Sequence, residues 1–521
     1  MTTSEVTFEP TSFYLTTAID YPNGEPHIGH ALEKVAADVV ARYHRLLGDD
    51  VAFCMGLDAN SQHVLTAANQ AGVPPHEWIE RMDVAFRRAW DALKVSRNAW
   101  VLTTEPRHFA ASTELFRRAQ ANGDIYTAIY SGWYCPNCNN YYTSDELVDG
   151  HCPIHPTITP DWLEEENYFF ALSKYSERLL EHIEAHPEFI TPAVWRPEMI
   201  GLIKSGLRDF SVSRAVRPGA IPWGVPVPDD PDHVLYVWFD ALTTYITAVG
   251  FPDDQERFGR YWPADSEIIG KDIMRFHILY WPAMLLSAGL PLPRRIVVHG
   301  FMSLEGGKIS KTTGNVIDPA DICAEFGADP VRYYLTRDFN FTSDGDFSRA
   351  NLIKRHNDDL GNDLGNLLNR VVAMIGRYRE GVVPVPGEPG DAERDLRRVA
   401  EDARASTGAR IEDWDLNGAL DALWMLVRKA NQYLEERQPW KLAKQPEAQG
   451  LLDETLWSAA EATRLIAIYL APFLPETSDR ILAQLGLAAI EHGNWRKKGG
   501  WGEVEFGLVK PAGPLFPRIE V

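Results

Sequence analysis

Near the N-terminus an apolar, β-branched run from Phe13 to Ala18 leads through a loop bearing Pro22, Asn23, Gly24 and Pro26 into a long helical pattern, and a second apolar run, Val51 to Met55, follows. Leu32, Val35, Ala36, Val39, Val40, Tyr43 and Leu47 recur at helical spacing, and Gly48 ends the pattern. Strand, helix and strand in that order commit this part to an α/β sheet, in which ligands gather beyond the carboxyl ends of the strands. His27-Ile28-Gly29-His30 stands there, at a helix N-terminus that offers backbone N–H groups and a positive dipole end to an anion. Asp58 stands there too, just past the second run.

A second basic cluster, Lys308-Ile309-Ser310-Lys311-Thr312, follows another buried-strand pattern, Arg295 to Gly300, and Gly306 and Gly307 give it freedom to move. Either cluster alone is weak evidence. Paired histidines are more often surface or core residues than ligands, and Lys-X-Ser-Lys is usually a solvated loop. In their joint context they fit one task, holding the triphosphate of ATP from two sides.

At 521 residues the chain is too long for one core, so two to four domains are expected. No run has the apolar length to span a bilayer, and the N-terminus lacks the pattern of a secretory signal, so a cytoplasmic protein without a membrane partner is expected. A net charge of -22 argues against coating nucleic acid by bulk electrostatics and leaves room only for a shaped, specific surface. Of five cysteines, three fall in Cys135-Pro136-Asn137-Cys138 and Cys152-Pro153-Ile154-His155. Cys135, Cys138, Cys152 and His155 can converge on one tetrahedral zinc per chain, and four protein ligands make such a site structural. Cys54 and Cys323 read as small core residues.

Strands and helices alternate to about residue 120, with helical patterns at Trp78–Leu93 and Phe109–Asn122. Residues 123–234, rich in proline and aromatics and bearing the metal knuckle, read as an insertion that splits the sheet. The sheet is expected to resume with Leu235-Tyr236-Val237-Trp238-Phe239 and to continue through Glu267–Gly270 to His299. Long helical patterns follow at Leu352–Arg379, Glu393–Thr407, Trp414–Glu436 and Thr455–Leu470, as in a bundle.

With these pieces assembled, the chain resembles the class I aminoacyl-tRNA synthetases, and among them the methionyl-tRNA synthetase family. The likeness rests on Ala18 to His30, on Tyr236-Val237-Trp238-Phe239-Asp240-Ala241, on Ile269-Gly270-Lys271-Asp272-Ile273 with Phe276-His277, and on Lys308 to Thr312 with Gly314-Asn315-Val316-Ile317-Asp318-Pro319. It implies a Rossmann-type parallel-sheet catalytic domain in two halves (1–122 and 235–304) around the zinc-knuckle insertion (123–234). A linking segment (305–350), an all-α anticodon-binding bundle (351–485) and a C-terminal tail packed on the other domains (486–521) complete it. The implied partners are ATP with Mg2+, L-methionine, and initiator and elongator methionine tRNA, and the implied state is a monomer.

By the same resemblance His27, His30, Lys308 and Lys311 are catalytic. Tyr21, Asn23, Gly24, Gly29 and Ser310 join them in binding ATP. Ile19, Tyr21, Asp58, Trp238, Ala241, Leu242, Tyr245, Ile273 and His277 form the methionine pocket, whose aromatic and aliphatic walls suit a polarizable thioether. Asn362, Asn366, Arg370 and Trp440 read the anticodon; the first three share a face if the helix is regular, and Trp440 can stack on an unstacked base. The insertion is too short to hold the large editing domain of related isoleucine, valine and leucine enzymes, which favours methionine. The lysine loop departs from the family's usual Lys-Met-Ser-Lys-Ser, Asp58-Ala59-Asn60-Ser61 is unusual after the aspartate, and Asp20 is an unexpected acid in the ATP-facing loop. Two other readings are weighed against this one: a tRNA-independent nucleotidyltransferase of the same superfamily, and a non-catalytic zinc-bearing nucleic-acid binder.

Overall fold

The computed structural model describes residues 11–135, 140–153, 155–216, 222–304, 306–308, 316–341 and 343–520. Its main sheet is six-stranded and wholly parallel. β1 (Ser12–Thr17), β2 (Asp50–Leu57) and β3 (Ala99–Leu102) lie side by side. The chain then returns to the other side of β1 with Ser266–Gly270 and Ile296–His299, and the short strand Ile190–Thr191 of the intervening region forms the far edge. The reversal at β1 makes the gap between β1 and Ser266–Gly270 a topological switch point.

Both faces of this sheet are buried, as parallel pairing through crossover helices requires. Leu15, Phe53, Ile268 and Val297 pack under α1 (Ile28–Leu47) in a core that runs on into the helical half, whereas Tyr14, Cys54, Ile269 and Val298 face helices Val237–Thr247 and Trp281–Ser287. Leu32, Val35, Ala36, Val39, Val40 and Tyr43 are all buried, and Gly48 ends α1 at φ +97°, donating its N–H to the Arg45 carbonyl.

The sheet does not resume at Leu235–Phe239 as the sequence suggested. Asp230–Leu235 pairs antiparallel with Ser213–Ala215 and Pro226–Val227 in a separate small sheet, and Val237–Thr247 is a helix. Trp238, Ala241, Leu242 and Tyr245 stand at i, i+3, i+4 and i+7, a helical period hidden by a short aromatic run of strand-like composition. The insertion's own sheet is antiparallel and pairs Ile125–Cys135 with Asn140–Tyr142 and Asp161–Phe170.

The second half is helical: Asn366–Arg379, Asp391–Glu412, Leu416–Arg437 and Gln449–Leu470. The pattern at Leu352–Arg379 is one path in three windings, α from Arg349 to Arg355, π-helical from His356 to Gly365, then α again. Trp414 lies outside its predicted helix at φ +61°, and Asp415 caps the helix by accepting the Gly418 N–H at 2.9 Å. Arg332, fully buried, joins the halves: it pairs with Asp38 of α1 at 2.7 Å and donates to the carbonyls of Leu93, Pro472 and Phe473. The C-terminal tail returns to the π-helical segment, where Asn357 bonds both ways with the Ile519 backbone. No helix among the described residues is long and apolar enough to cross a membrane.

Candidate active site

A cavity of about 710 Å3 opens at the switch point. The residues that leave β1 (Ala18 to Tyr21), the residue after β2 (Asp58), the carboxyl ends of the strands ending at Gly270 and His299, and the first turn of α1 all face it. It gathers all nine residues assigned to methionine: Ile19, Tyr21, Asp58, Trp238, Ala241, Leu242, Tyr245, Ile273 and His277. Asn23, Gly24, His27, Gly29 and His30 of the ATP set line it as well.

Its apolar end is built so that polar atoms are satisfied away from the ligand space. Trp238 stacks on Phe276 at 3.8 Å and meets Tyr21 edge-on. His277 Nδ1 lies 3.0 Å from the Ile273 carbonyl, which can only accept, so the proton sits on Nδ1 and Nε2 accepts from the Tyr245 hydroxyl at 2.7 Å. Burial pushes His277 down to about 4, leaving a neutral imidazole. Such a wall suits a thioether and has no charge to attract a more polar side chain.

Asp58 is 2% exposed, with Oδ1 unpartnered and its pKa raised by burial and then by Asp240. A buried acid left so is completed by a cation, and a substrate ammonium would draw it back to the ionised form. The unusual residues after it have structural work. Asn60 donates to the Thr103 carbonyl and to Asp240 Oδ2 at 2.9 and 2.7 Å, the Ala59 N–H reaches Thr103 Oγ1, and Trp223 of the insertion donates to the Ala59 carbonyl. Asp240 is held in turn by His108 at 2.7 Å.

At the other end the His27 N–H donates to His30 Nδ1 at 3.2 Å, which places the His30 proton on Nε2 as a donor. One α1 N–H, that of Ile28, is taken by the Ile317 carbonyl at 2.9 Å, so the chain just after the lysine loop is anchored to the helix start rather than leaving every N–H for an anion. Lys308 pairs through its backbone with Ser303; Ser310 and Lys311 lie outside the described residues.

The floor contains charges that sequence reasoning missed. Lys34 Nζ, 1% exposed, meets Glu33, the Ala18 carbonyl, Thr17 Oγ1 and, at 3.4 Å, Asp20 Oδ1. His299 Nε2 lies 3.0 Å from the other oxygen of Glu33. Glu33 and Lys34 follow His30 at i+3 and i+4, spacing that puts them on the cavity side of α1 and could have revealed them. Glu33, held despite its burial below the usual carboxylate range by Lys34 and His299, is thus the close counter-ion of the buried lysine, and Asp20 is a second acid beside it. Burial outweighs Lys34 and raises Asp20 to about 7, and its Oδ2 has no partner.

Residues 13–157 and 157–372 match the family model described as tRNA synthetases class I (M), and residues 383–501 match the anticodon binding domain of methionyl tRNA ligase. The chain belongs to the methionyl-tRNA synthetase family. The methionine–tRNA ligase of Caldanaerobacter subterraneus subsp. tengcongensis is 42% identical over 98% of this chain and 79% of the relative. That of Mycobacterium tuberculosis is 45% identical over 91% of this chain and 92% of its own. Among solved structures, Mycobacterium tuberculosis methionyl-tRNA synthetase in complex with methionyl-adenylate superposes with a TM-score of 0.91 at 42% identity, covering 98% of this chain and 100% of the other. Its apo form gives 0.86 at 40% identity over 98% and 99%.

In this synthetase the knuckle brings Cys135, Cys152 and His155 within 4.8 Å of one another; Cys138 lies outside the described residues. His155 Nδ1 is 3.8 Å from the Cys135 sulfur and 3.7 Å from that of Cys152. Tetrahedral zinc with thiolate and imidazole ligands sets that separation at roughly 3.6 Å, so the three donors fit the metal. Among the described residues the apolar cluster around them has Cys135, Tyr142 and Cys152 as its buried members, too little to hold the hairpins alone.

On the bundle, Arg370 lies over the Trp440 ring at 5.8 Å and pairs with Glu435. Asn362 and Asn366 line a small groove of about 160 Å3 with Asn369 and the tail residues Phe516 and Arg518. Regular i, i+4 spacing does not apply to Asn362, because its turn is π-wound; it and Asn366 nonetheless remain exposed on that groove. Asn362, Asn366 and Arg370 fall before the region matched by the anticodon-domain model, and Trp440 falls within it.

Proposed function

We propose the following division of labour for methionine–tRNA ligation by this synthetase. Asp58 holds the methionine ammonium, the wall of Trp238, Ala241, Leu242, Tyr245, Ile273 and His277 encloses the thioether, and Ile19 and Tyr21 close the pocket beside Asp58. The carboxylate oxygen of methionine then attacks the α-phosphorus of ATP. A carboxyl–phosphate bond forms, the bond between the α- and β-phosphates breaks, and the electron pair leaves on pyrophosphate. Little covalent help is needed, so positioning and charge neutralisation dominate. His27 and His30 donate to phosphate oxygens, Tyr21, Asn23, Gly24 and Gly29 shape the close approach, and Lys308, Ser310 and Lys311 close over the leaving group. Mg2+ accompanies ATP and neutralises phosphate charge.

In the second step a hydroxyl of the terminal ribose of methionine tRNA attacks the activated carbonyl and releases AMP. Initiator and elongator methionine tRNAs are the substrates, held through the bundle by Asn362, Asn366, Arg370 and Trp440. Zinc on Cys135, Cys138, Cys152 and His155 keeps the knuckle folded. The protein works as a monomer in the cytoplasm. One observation carries the reading: every residue assigned to methionine, and the first basic cluster assigned to ATP, face a single cavity at the switch point.

Amino-acid-dependent exchange of labelled pyrophosphate into ATP, run across the twenty amino acids, tests it. Exchange with methionine alone is expected, and Lys311→Ala should abolish most of it while tRNA binding persists. Exchange with a different amino acid would overturn the pocket, and an active Lys311→Ala would overturn the lysine's role.

A further inference from the structure

At the amino-terminal edge of the main sheet, away from the substrate cavity, lies a second cavity of about 490 Å3. Phe13 at the start of β1, Ser266 at the start of its strand and Arg295 just before Ile296 mark that edge. His44 near the end of α1, His182 and His186 of the insertion, and Glu412 at the end of a bundle helix face it together. Nothing in the ligation chemistry uses them.

His44 is only 7% exposed, and its Nδ1 lies 2.8 Å from Asp49 Oδ2. The other oxygen of Asp49 accepts from Thr11 Oγ1 at 2.7 Å, and a carboxylate so placed accepts from the imidazole, so the proton sits on Nδ1. The Nε2 lone pair is therefore directed away from Asp49. That atom is buried without a hydrogen-bond partner, and the nearest carboxylate oxygen, Glu412 Oε2, is 3.7 Å away. Two acceptors facing each other at that distance are completed by a cation. A carboxylate behind an imidazole is also the arrangement that orients metal-bound histidines.

His182 and His186 add a second, independent sign. They sit four residues apart at the end of helix Ser176–Ala185, with ring centroids 4.6 Å apart, and His182 Nε2 is likewise buried and unpartnered. Two histidines at i and i+4 can offer both imidazoles to one ion. His186 Nδ1 lies 3.4 Å from Glu188, so that ring must turn to ligate, and it is exposed enough to do so. The two guanidinium groups of the cavity are engaged: Arg294 with Asp265 at 2.8 Å, Arg295 with the Glu412 carbonyl at 2.6 Å. Three carboxylates, those of Glu188, Asp265 and Glu412, stand against them.

We propose that this cavity is a second metal site, taking a late first-row divalent cation such as Zn2+ between His44 Nε2 and Glu412, with His182 and His186 completing the ligand set. Among the described residues only the knuckle already has three donors at mutual coordination distance, so this site closes around its ion and holds it less tightly. A cation bound here ties the end of α1, the insertion and the bundle helix Asp391–Glu412 into one unit. Its occupancy would then set how firmly the tRNA-binding half is held on the catalytic half.

The test is a Co2+ titration of full-length protein whose knuckle has been filled with zinc. One further equivalent is expected, with the visible bands of nitrogen and oxygen ligation and no thiolate charge-transfer band. His182→Asn/His186→Asn and, separately, Glu412→Gln should each weaken that equivalent at least tenfold, with knuckle zinc and methionine-dependent pyrophosphate exchange retained in metal-free buffer. A wild-type protein that takes no further equivalent, or either variant binding it with unchanged affinity, overturns the proposal. These substitutions lie outside the buried core, so a folded variant is available for the comparison.

Discussion

Asp20 should make the stability of this synthetase fall as the pH rises through neutrality. Its pKa is about 7 in the folded chain against 3.8 for an ordinary aspartate, so the folded state holds the proton more tightly than the unfolded one. Folding gains from that proton fully below pH 4 and loses the gain as pH climbs to about 7 and beyond. The shift corresponds to about 4 kcal/mol, an upper bound because the cavity can admit water. Asp20→Asn removes the titration while leaving Lys34 its contacts with Glu33, Thr17 and the Ala18 carbonyl. The difference in Tm between variant and wild type should therefore grow in the variant's favour from pH 5 to pH 8, by several degrees for roughly 2–4 kcal/mol. Calorimetry on both proteins in matched buffers reads it. A Tm difference that stays constant across that range would refute the reasoning, and would mean that Lys34 keeps Asp20 ionised throughout.

Tyr245→Phe removes the donor to His277 Nε2 and leaves a buried acceptor unpaired, a cost of about 1–3 kcal/mol; KM for methionine in pyrophosphate exchange should rise roughly tenfold, and an equal rise for ATP would contradict a methionine-side role. Cys152→Ser should remove the one tightly held zinc, counted after dialysis against a weak chelator that strips the second site, and expose the segment around residues 135–158 to protease, because the described part of the knuckle has so little apolar core; full retention of the tightly held zinc would count against the ligand assignment. Arg332→Met takes one of two guanidinium partners from Asp38, Arg42 remaining at 2.7 Å, and leaves the carbonyls of Leu93, Pro472 and Phe473 without their donor, at a cost of about 1–3 kcal/mol. It should split one thermal transition into separate catalytic and helical ones, and an unshifted single transition would show that the halves are joined by other contacts. Trp440→Ala should impair tRNA charging and leave adenylate formation near wild type; equal loss of both steps in folded protein would remove it from anticodon recognition.

The strand–helix–strand opening was legible because its apolar residues are periodic and its ends carry Pro and Gly, and α1 runs as that pattern required. The helix Val237–Thr247 was not, since aromatic residues in a short run satisfy strand and helix templates alike and only the spacing of Trp238, Ala241, Leu242 and Tyr245 separates them. The cavity residues were reachable through the resemblance rather than through chemistry visible in one dimension: Asp58 reads as a turn residue until the sheet places it past β2. Asp20 had no account in the sequence because its partner lies a loop and a helical turn away. Folding brings Lys34 beside it, and an apparent oddity becomes the second acid of a buried cluster. The π-wound turn at His356–Gly365 has no such signal, so any face drawn by regular spacing through Asn362 was bound to drift.

The order of strands in the main sheet bears on how the chain is made. β1 is paired on one side by β2, close behind it in the sequence, but its other neighbour is Ser266–Gly270. At about 5–20 residues per second, a ribosome leaves that flank of β1 without its partner for roughly ten to fifty seconds. An open strand edge is a template for pairing with another chain. During that interval the insertion emerges, contributing Ile190–Thr191, which itself waits for Ile296–His299. The N-terminal half is thus an unfinished surface until the second half arrives, and a nascent chain stalled before residue 266 is the species that cellular holdases would have to shield.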